Sequence, residues 1–201
     1  ALVETGAVGR VKLITHDLVD ETMQYLVQGA ITATIGQDPF AQGHDSVIHI
    51  FNHLVAGWNP PTPRLLTVAD VITSRNYQQF WQTGLGVIES AEAAKRRARP
   101  IQSSPRPLRI AVLGREESRF WDPVHAGVLA AAKELRIHHA TVEWILPEGG
   151  KVPPNLSARA TAIEKLIKDG YNAIVTDIFD AGLIPYRNRA IAAGIPVATF
   201  N

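Results

Sequence analysis

The chain has no cysteine and a single methionine in 201 residues. Disulfides, thiolate nucleophiles and thiolate metal ligands are therefore excluded. An excess of charge is missing too. Twenty Lys and Arg face 19 Asp and Glu, so a net charge of +1 gives no reason to expect a polyanionic partner for the whole molecule. No stretch approaches the roughly 18 uninterrupted apolar residues of a membrane helix. The first residues, ALVETGAVGRVK, lack a basic start followed by an apolar core, so no leader peptide is read there. What is present is a globular composition, 46% hydrophobic and 19% charged, far from that of a disordered chain. Its length suits one generous domain or two small lobes.

Apolar periodicity divides the chain. VKLITHD (11–17) reads as a short strand ending in a polar pair. VDETMQYLVQG (19–29) reads as a helix capped by Asp20 and stopped by Gly29, with Met23, Leu26 and Val27 as its buried stripe. ITATIGQ (31–37) is a β-branched strand, and Asp38-Pro39 starts a second helix in which Val47, Ile48, Phe51, Leu54 and Val55 recur at helical spacing. WNPPTP breaks it, and LLTVADVITSRN returns as a strand. Residues 82–107 pass from a polar helix into Pro/Ser-rich coil and read as a linker, so 1–81 forms one piece and 108–201 another.

The second piece repeats strand and helix more cleanly. LRIAVLG (108–114) is a buried strand, and WDPVHAGVLAAAKELRI is a helix with Val124, Val128, Leu129, Ala132 and Leu135 inward. ATVEWILPEGG is a strand and loop, SARATAIEKLIKDG a helix closed by Gly170, YNAIVTD a strand, GLIPYRNRAIAAG a helix and IPVATFN a strand. Strands separated by helices of this length imply an α/β fold of doubly wound parallel sheets. Ligands of such sheets sit beyond the carboxyl ends of the strands. At those ends lie His16 and Asp17, Gln37 and Asp38, Gly114 to Trp121, Thr176 and Asp177, and Asn201. Polar groups that hold hydroxyls, beside the aromatic pair Phe120 and Trp121, suit a sugar-like ligand.

RIAVLGREESRFWDPVHAGVLAAAKEL, AIEKLIKDGYNAIVTDIFDAGLI and RAIAAGIPVATFN resemble the first lobe of a type I periplasmic binding protein, the ribose-binding and lac-repressor-core superfamily. GRVKLITHDLVDETMQYLVQGAITATIGQDPFAQGHDSVIHIFNHLV is similar to the C-terminal end of the same fold. The second lobe is thus incomplete and the parts occur in reversed order. That order is expected of a junction in a tandem protein, of a rearranged module, or of a longer chain of which these residues are part. The resemblance implies that Phe120 and Trp121 sandwich a sugar ring, with Ser118 in place of the usual Asn before them. It implies that Thr176 or Asp177 contacts the ligand after the third strand. Asn201 stands where Asp is usual, which weakens a charge-assisted hydrogen bond. Asp17 matches the second-lobe carboxylate and Gln37 the hinge glutamine.

The resemblance also implies non-catalytic binding of a sugar or polyol between hinged lobes, with no cofactor. The lobes would present a closed face to a membrane permease of an ABC-type transporter, outside the cytoplasm. As the alternative, they would form the sensing domain of a signalling receptor, or of a transcriptional regulator in the cytoplasm. Other functions have less in the sequence to support them. There is no G-x-G-x-x-G, Walker loop or G-x-S-x-G for an enzyme. His49 and His53 are spaced to share a helix face, yet surface histidines account for them better than a metal. The basic run Lys95, Arg96, Arg97, Arg99, Arg106 and Arg109 reads as solvated linker, and no nucleic acid is expected. Arg115 and Arg119 are ambiguous between gripping a carboxylate or phosphate and lying exposed.

Overall fold

The computed structural model describes residues 2–115, 120–147, 155–178 and 180–200. Its elements up to the middle of the chain are β1 (Ile14–His16), α1 (Asp20–Val27), β2 (Ala33–Gly36), α2 (Pro39–Ala56), β3 (Asp70–Ile72), β4 (Trp81–Gln82), β5 (Gly86–Val87) and α3 (Ala91–Arg96). Then come β6 (Leu108–Leu113), α4 (Trp121–Leu135), β7 (Ala140–Ile145), α5 (Leu156–Lys168), β8 (Ala173–Asp177), α6 (Ile184–Ala192) and β9 (Val197–Phe200). No helix of the described residues is long and apolar enough to cross a membrane. The chain forms two compact units, one of Ala1–Asp38 and Leu66–Arg97, the other of Pro39–Leu65 and Ala98–Asn201. It therefore passes from one unit to the other at 38/39, 65/66 and 97/98.

The first unit is built on a three-stranded sheet in the order β1-β2-β3. β1 runs parallel to β2, but β3 pairs antiparallel, Thr34 facing Ile72, so this sheet is mixed and not the parallel one expected. LLTVADVITSRN contributes only the three residues of β3, and Leu66 before it is 83% exposed. Met23, Leu26, Ile31, Ile72 and Trp81 form the core, whereas Val27 turns to solvent. The N-cap position falls on Val19, and Asp20 is the first helical residue. Its carboxylate accepts the Trp81 indole N–H at 2.8 Å and so ties α1 to β4. The segment read as a linker is bound along its length: β4 pairs with β5, Ser90 caps α3, and the Asn52 amide, within the second unit, bridges the Arg99 carbonyl and the Ile101 N–H. Three of its cations are paired too, Lys95 with Glu92, Arg96 with Asp70, and Arg97 with both Asp38 and Glu89.

The second unit is α/β, with four parallel strands in the order β7-β6-β8-β9. Alternation along β6 sends Ile110 and Val112 to one face and Ala111 and Leu113 to the other, which is why the strand is apolar throughout. α5 and α6 cover the second face with Ile163, Leu166 and Ala190, joined by Leu183 of the 3-10 turn that precedes α6. Each helix ends in a glycine of positive φ, Gly170 and Gly194, whose N–H bonds three residues back while the next residue, Tyr171 or Ile195, bonds five back. That C-cap satisfies the last carbonyls and turns a buried apolar residue directly towards the next strand.

α2 and α4 cover the first face. Sequence order groups α2 with residues 1–81, yet Val47, Ile48 and Phe51 are fully buried in the core over β6 and β8. Each such side chain contributes about 1.5–3 kcal/mol. On α4, Val124, Val128 and Leu135 face inward as expected, but Leu129 is 56% exposed and Ala131 and Gly127 take the buried positions. The reason is the closeness of the helix pair. A Cβ on Gly43 would lie 2.0 Å from the Val124 carbonyl oxygen, and one on Gly127 2.1 Å from that of Phe40. The contact face of α4 is therefore the one that carries its glycine.

Gly127→Ala forces two backbones apart and is expected to destabilise the protein by roughly 1–3 kcal/mol. Ala126→Ser, on the exposed side of the same helix, is expected to do nothing measurable; equal urea midpoints for the two variants would refute the close crossing. α2 carries a pH dependence as well. The His49 ring stacks on Trp58 at 4.5 Å, and its Nδ1 is buried without a hydrogen-bond partner among the described residues. Burial holds its imidazole below the ordinary 6.5, opposed by the Asp45 carboxylate and reinforced by His44. The unfolded chain then binds more protons as pH falls below about 6.5, so stability is full above that pH and is lost as pH drops through the depressed folded value. His49→Phe, which preserves the stack, is expected to flatten the stability–pH curve in that window. An unchanged slope in urea titrations would rule His49 out.

Candidate functional site

After β6 the chain adds β7 on one side, then crosses to add β8 on the other. The winding thus reverses between β6 and β8, and the carboxyl ends of those strands flank a switch point. Gly114 and Arg115 leave β6 there, and Thr176 and Asp177 end β8. Gly114 is covered by Trp144 of β7, against which a Cβ would fall at 2.1 Å, and Trp144 stacks on His125 of α4 at 4.5 Å.

Below this edge lies a buried cation. Arg159, in the first turn of α5, is 1% exposed, and its guanidinium donates to the Gly114 carbonyl at 2.9 Å, the Leu113 carbonyl at 3.4 Å, Thr176 Oγ1 at 3.2 Å and, closely, Asp177 Oδ1. Two more guanidiniums approach the same residue. Arg115 Nη1 lies 3.4 Å from Asp177 Oδ2, and Arg187 Nη2 of α6 donates to the Asp177 carbonyl at 2.7 Å. Arg187 is partly buried with its Nε unpartnered among the described residues, and burial holds it below the ordinary arginine range, offset in part by Asp177.

Aromatic side chains flank the group. The Arg115 guanidinium carbon sits 5.0 Å from the centre of the Trp121 ring. Phe120 and Trp121 stand edge to face, 5.0 Å apart and 88° to each other, and Trp121 meets Phe200 at 6.2 Å. The pair therefore leaves no slot between its own rings for a sugar. Trp121 is 8% exposed and belongs to the core, while Phe120 is partly buried and packs against that core.

Of the expected site residues, Phe120, Trp121, Thr176 and Asp177 come together at this edge. Thr176 and Asp177, however, are buried and engaged by Arg159. Ser118 and Asn201 lie outside the described residues. Asp17 and Gln37 belong to the first unit and meet there: Gln37 Nε2 donates to Asp17 Oδ1 at 2.6 Å, at the carboxyl ends of the parallel pair β1 and β2. Asp17 also contacts His16 Nδ1 through Oδ2 at 3.0 Å and accepts from Thr34 Oγ1 on its carbonyl at 2.8 Å. Its positive φ of 69° is of a kind that Asp tolerates better than most residues.

Sequence reasoning missed Arg159 and Arg187. Arg159 had a signal, because it falls four residues before Ile163 and seven before Leu166, on the apolar stripe of α5. A charge on a buried stripe calls for a partner. The histidines of α2 are used locally. His53 Nδ1 contacts the Trp58 carbonyl at 3.0 Å, and His44, 5% exposed, lies between Asp45 at 2.7 Å and Glu134 at 3.3 Å. Among the described residues no three His, Asp or Glu side chains are grouped to hold a metal ion. A groove of about 470 Å³ opens at the opposite, amino-terminal edge, lined in part by Leu108, Tyr171 and Asn172. Its Asn172 and Ser104 side chains bond the backbone of the unit itself, so it lacks the convergent polar groups of the carboxyl edge. No family model matches the chain, and no curated protein matches it.

Removing one partner of a buried ion pair strands the other charge and costs about 3–5 kcal/mol. Asp177→Asn is expected to fall in that range in urea unfolding. The double variant Arg159→Met/Asp177→Asn should cost clearly less than the two single changes added together. Strict additivity would show that the two residues do not act as a pair.

Proposed function

We propose that the protein is a non-catalytic binding protein of the type I periplasmic-binding class, taking a small sugar-like ligand at the carboxyl edge of the β6–β8 sheet. The observation that carries this is the switch point itself, where polar and cationic side chains converge beside Phe120 and Trp121. The place of α2 supports it. Residues 39–65 from before the 82–107 segment and residues 98–201 from after it serve one unit, as a module with its parts in rearranged order requires. Asp17 and Gln37, hydrogen-bonded to each other in the first unit, match the second-lobe carboxylate and the hinge glutamine of the family resemblance. The same resemblance implies hinge closure on the ligand and delivery to an ABC-type permease.

Thermal unfolding of the chain against pentoses, hexoses, polyols and sugar acids tests the proposal. A ligand at about 100 times its Kd adds about 2.7 kcal/mol, a rise of roughly 2–4 °C in Tm for a chain of this size. The expected result is a selective rise that Phe120→Ala abolishes. Cooperative melting with no shift across the panel would overturn the proposal.

A further inference from the structure

We infer that the ligand of the carboxyl edge carries an anionic group, a carboxylate or a phosphate, gripped by Arg187 and Arg115 beside the aromatic pair. The inference rests on the binding function proposed above and narrows it from neutral sugars to sugar acids or sugar phosphates.

Arg187 is the decisive cation. It reaches the Asp177 backbone carbonyl, which accepts a hydrogen bond but balances no charge, and its Nε is buried without a partner among the described residues. The Asp177 carboxylate beside it is already committed to another cation, because the fully buried Arg159 closes on Oδ1. Arg115 comes to the same carboxylate, with Nη1 3.4 Å from the remaining oxygen, Oδ2. Arg187 is thus a partly buried guanidinium with an open donor and a local carboxylate turned to a different partner. Desolvation makes such a placement expensive unless an anion arrives.

A neutral polyol would accept a hydrogen bond from Arg187 and leave its charge unbalanced. An oxyanion would balance it and match the planar guanidinium donors. The ring of such a ligand would meet the partly exposed Phe120, while the Trp121 ring lies 5.0 Å from the Arg115 guanidinium. Arg159 is a positioning residue here, since it holds Asp177 and the β6 carbonyls and does not itself reach the ligand.

Isothermal titration of the full chain with matched pairs tests this: glucose with glucuronate and glucose 6-phosphate, and ribose with ribose 5-phosphate, alongside inorganic phosphate alone. We expect an anionic member to bind about tenfold or more tightly than its neutral partner, a gap that shrinks as salt is raised. Arg187→Gln and Arg115→Gln, each first shown to melt cooperatively, should bring that ratio towards one, and Arg187→Lys should retain part of it. Neutral sugars binding as tightly as their anions would overturn the charge inference and leave the binding function standing. Binding by no sugar, neutral or anionic, would overturn both. Inorganic phosphate binding as tightly as the sugar phosphates would overturn the sugar anion as the ligand. Discrimination that survives both Gln variants would overturn the assignment to these arginines.

Discussion

The carboxyl edge of the parallel sheet depends on the burial of the Arg159 guanidinium. A cation taken out of water must find its partners inside the protein, and α5 delivers this one beneath the ends of two strands. The Leu113 and Gly114 carbonyls, the Thr176 hydroxyl and the Asp177 carboxylate all turn inward to meet it. These contacts lock β6 to β8 at the switch point and join both to α5. The polar residues at the strand ends thus form a floor, over which stand Arg115, Arg187 and the aromatic side chains. Rigid support under a few polar groups is what a selective site needs, because ligand affinity is then not lost to ordering the protein.

The strands and helices from residue 108 onward were legible because periodicity reports burial directly. The β6 run and the stripes of α4 and α5 can be read without knowing their neighbours. Allegiance was not legible. The apolar stripe of α2 said that the helix must be covered, but not that β6 and β8, more than fifty residues later, would cover it. Val27 and Leu129 fit the helical period and lie just off the contact face, since a stripe read from spacing is wider than the face actually packed. LLTVADVITSRN had strand composition, yet it had only β2 to pair with, and pairing rather than propensity decided its extent.

At the site, the positions of the polar residues were legible and their duties were not. Asp177 read as a ligand contact because it ends a strand, and only the three-dimensional placement of Arg159 shows that its carboxylate is engaged from below. The 82–107 segment hides its pairing in the same way. Ser, Pro and Arg look unstructured in sequence, but Asp38 takes Arg97 in a two-point contact at 2.9 and 3.1 Å. That contact ties together two of the three places where the chain passes from one unit to the other. The basic run looks free as a string of letters and is paired at most of its described positions once folded.

The late arrival of the sheet that α2 covers bears on how the molecule is made. During synthesis at about 5–20 residues per second, the strands that bury Val47, Ile48 and Phe51 emerge several seconds after the helix itself. Until then α2 is an 18-residue amphipathic segment with its apolar side bare, and the packing of such a face supplies most of a helix's stability in a protein. Growth from the N-terminus cannot finish the second unit in order, because the unit closes only when an early segment is recaptured by a late one. Such long-range closure slows folding and prolongs the exposure of sticky surface. The nascent chain therefore has a built-in interval in which a chaperone, or a neighbouring nascent copy, competes for the same helix.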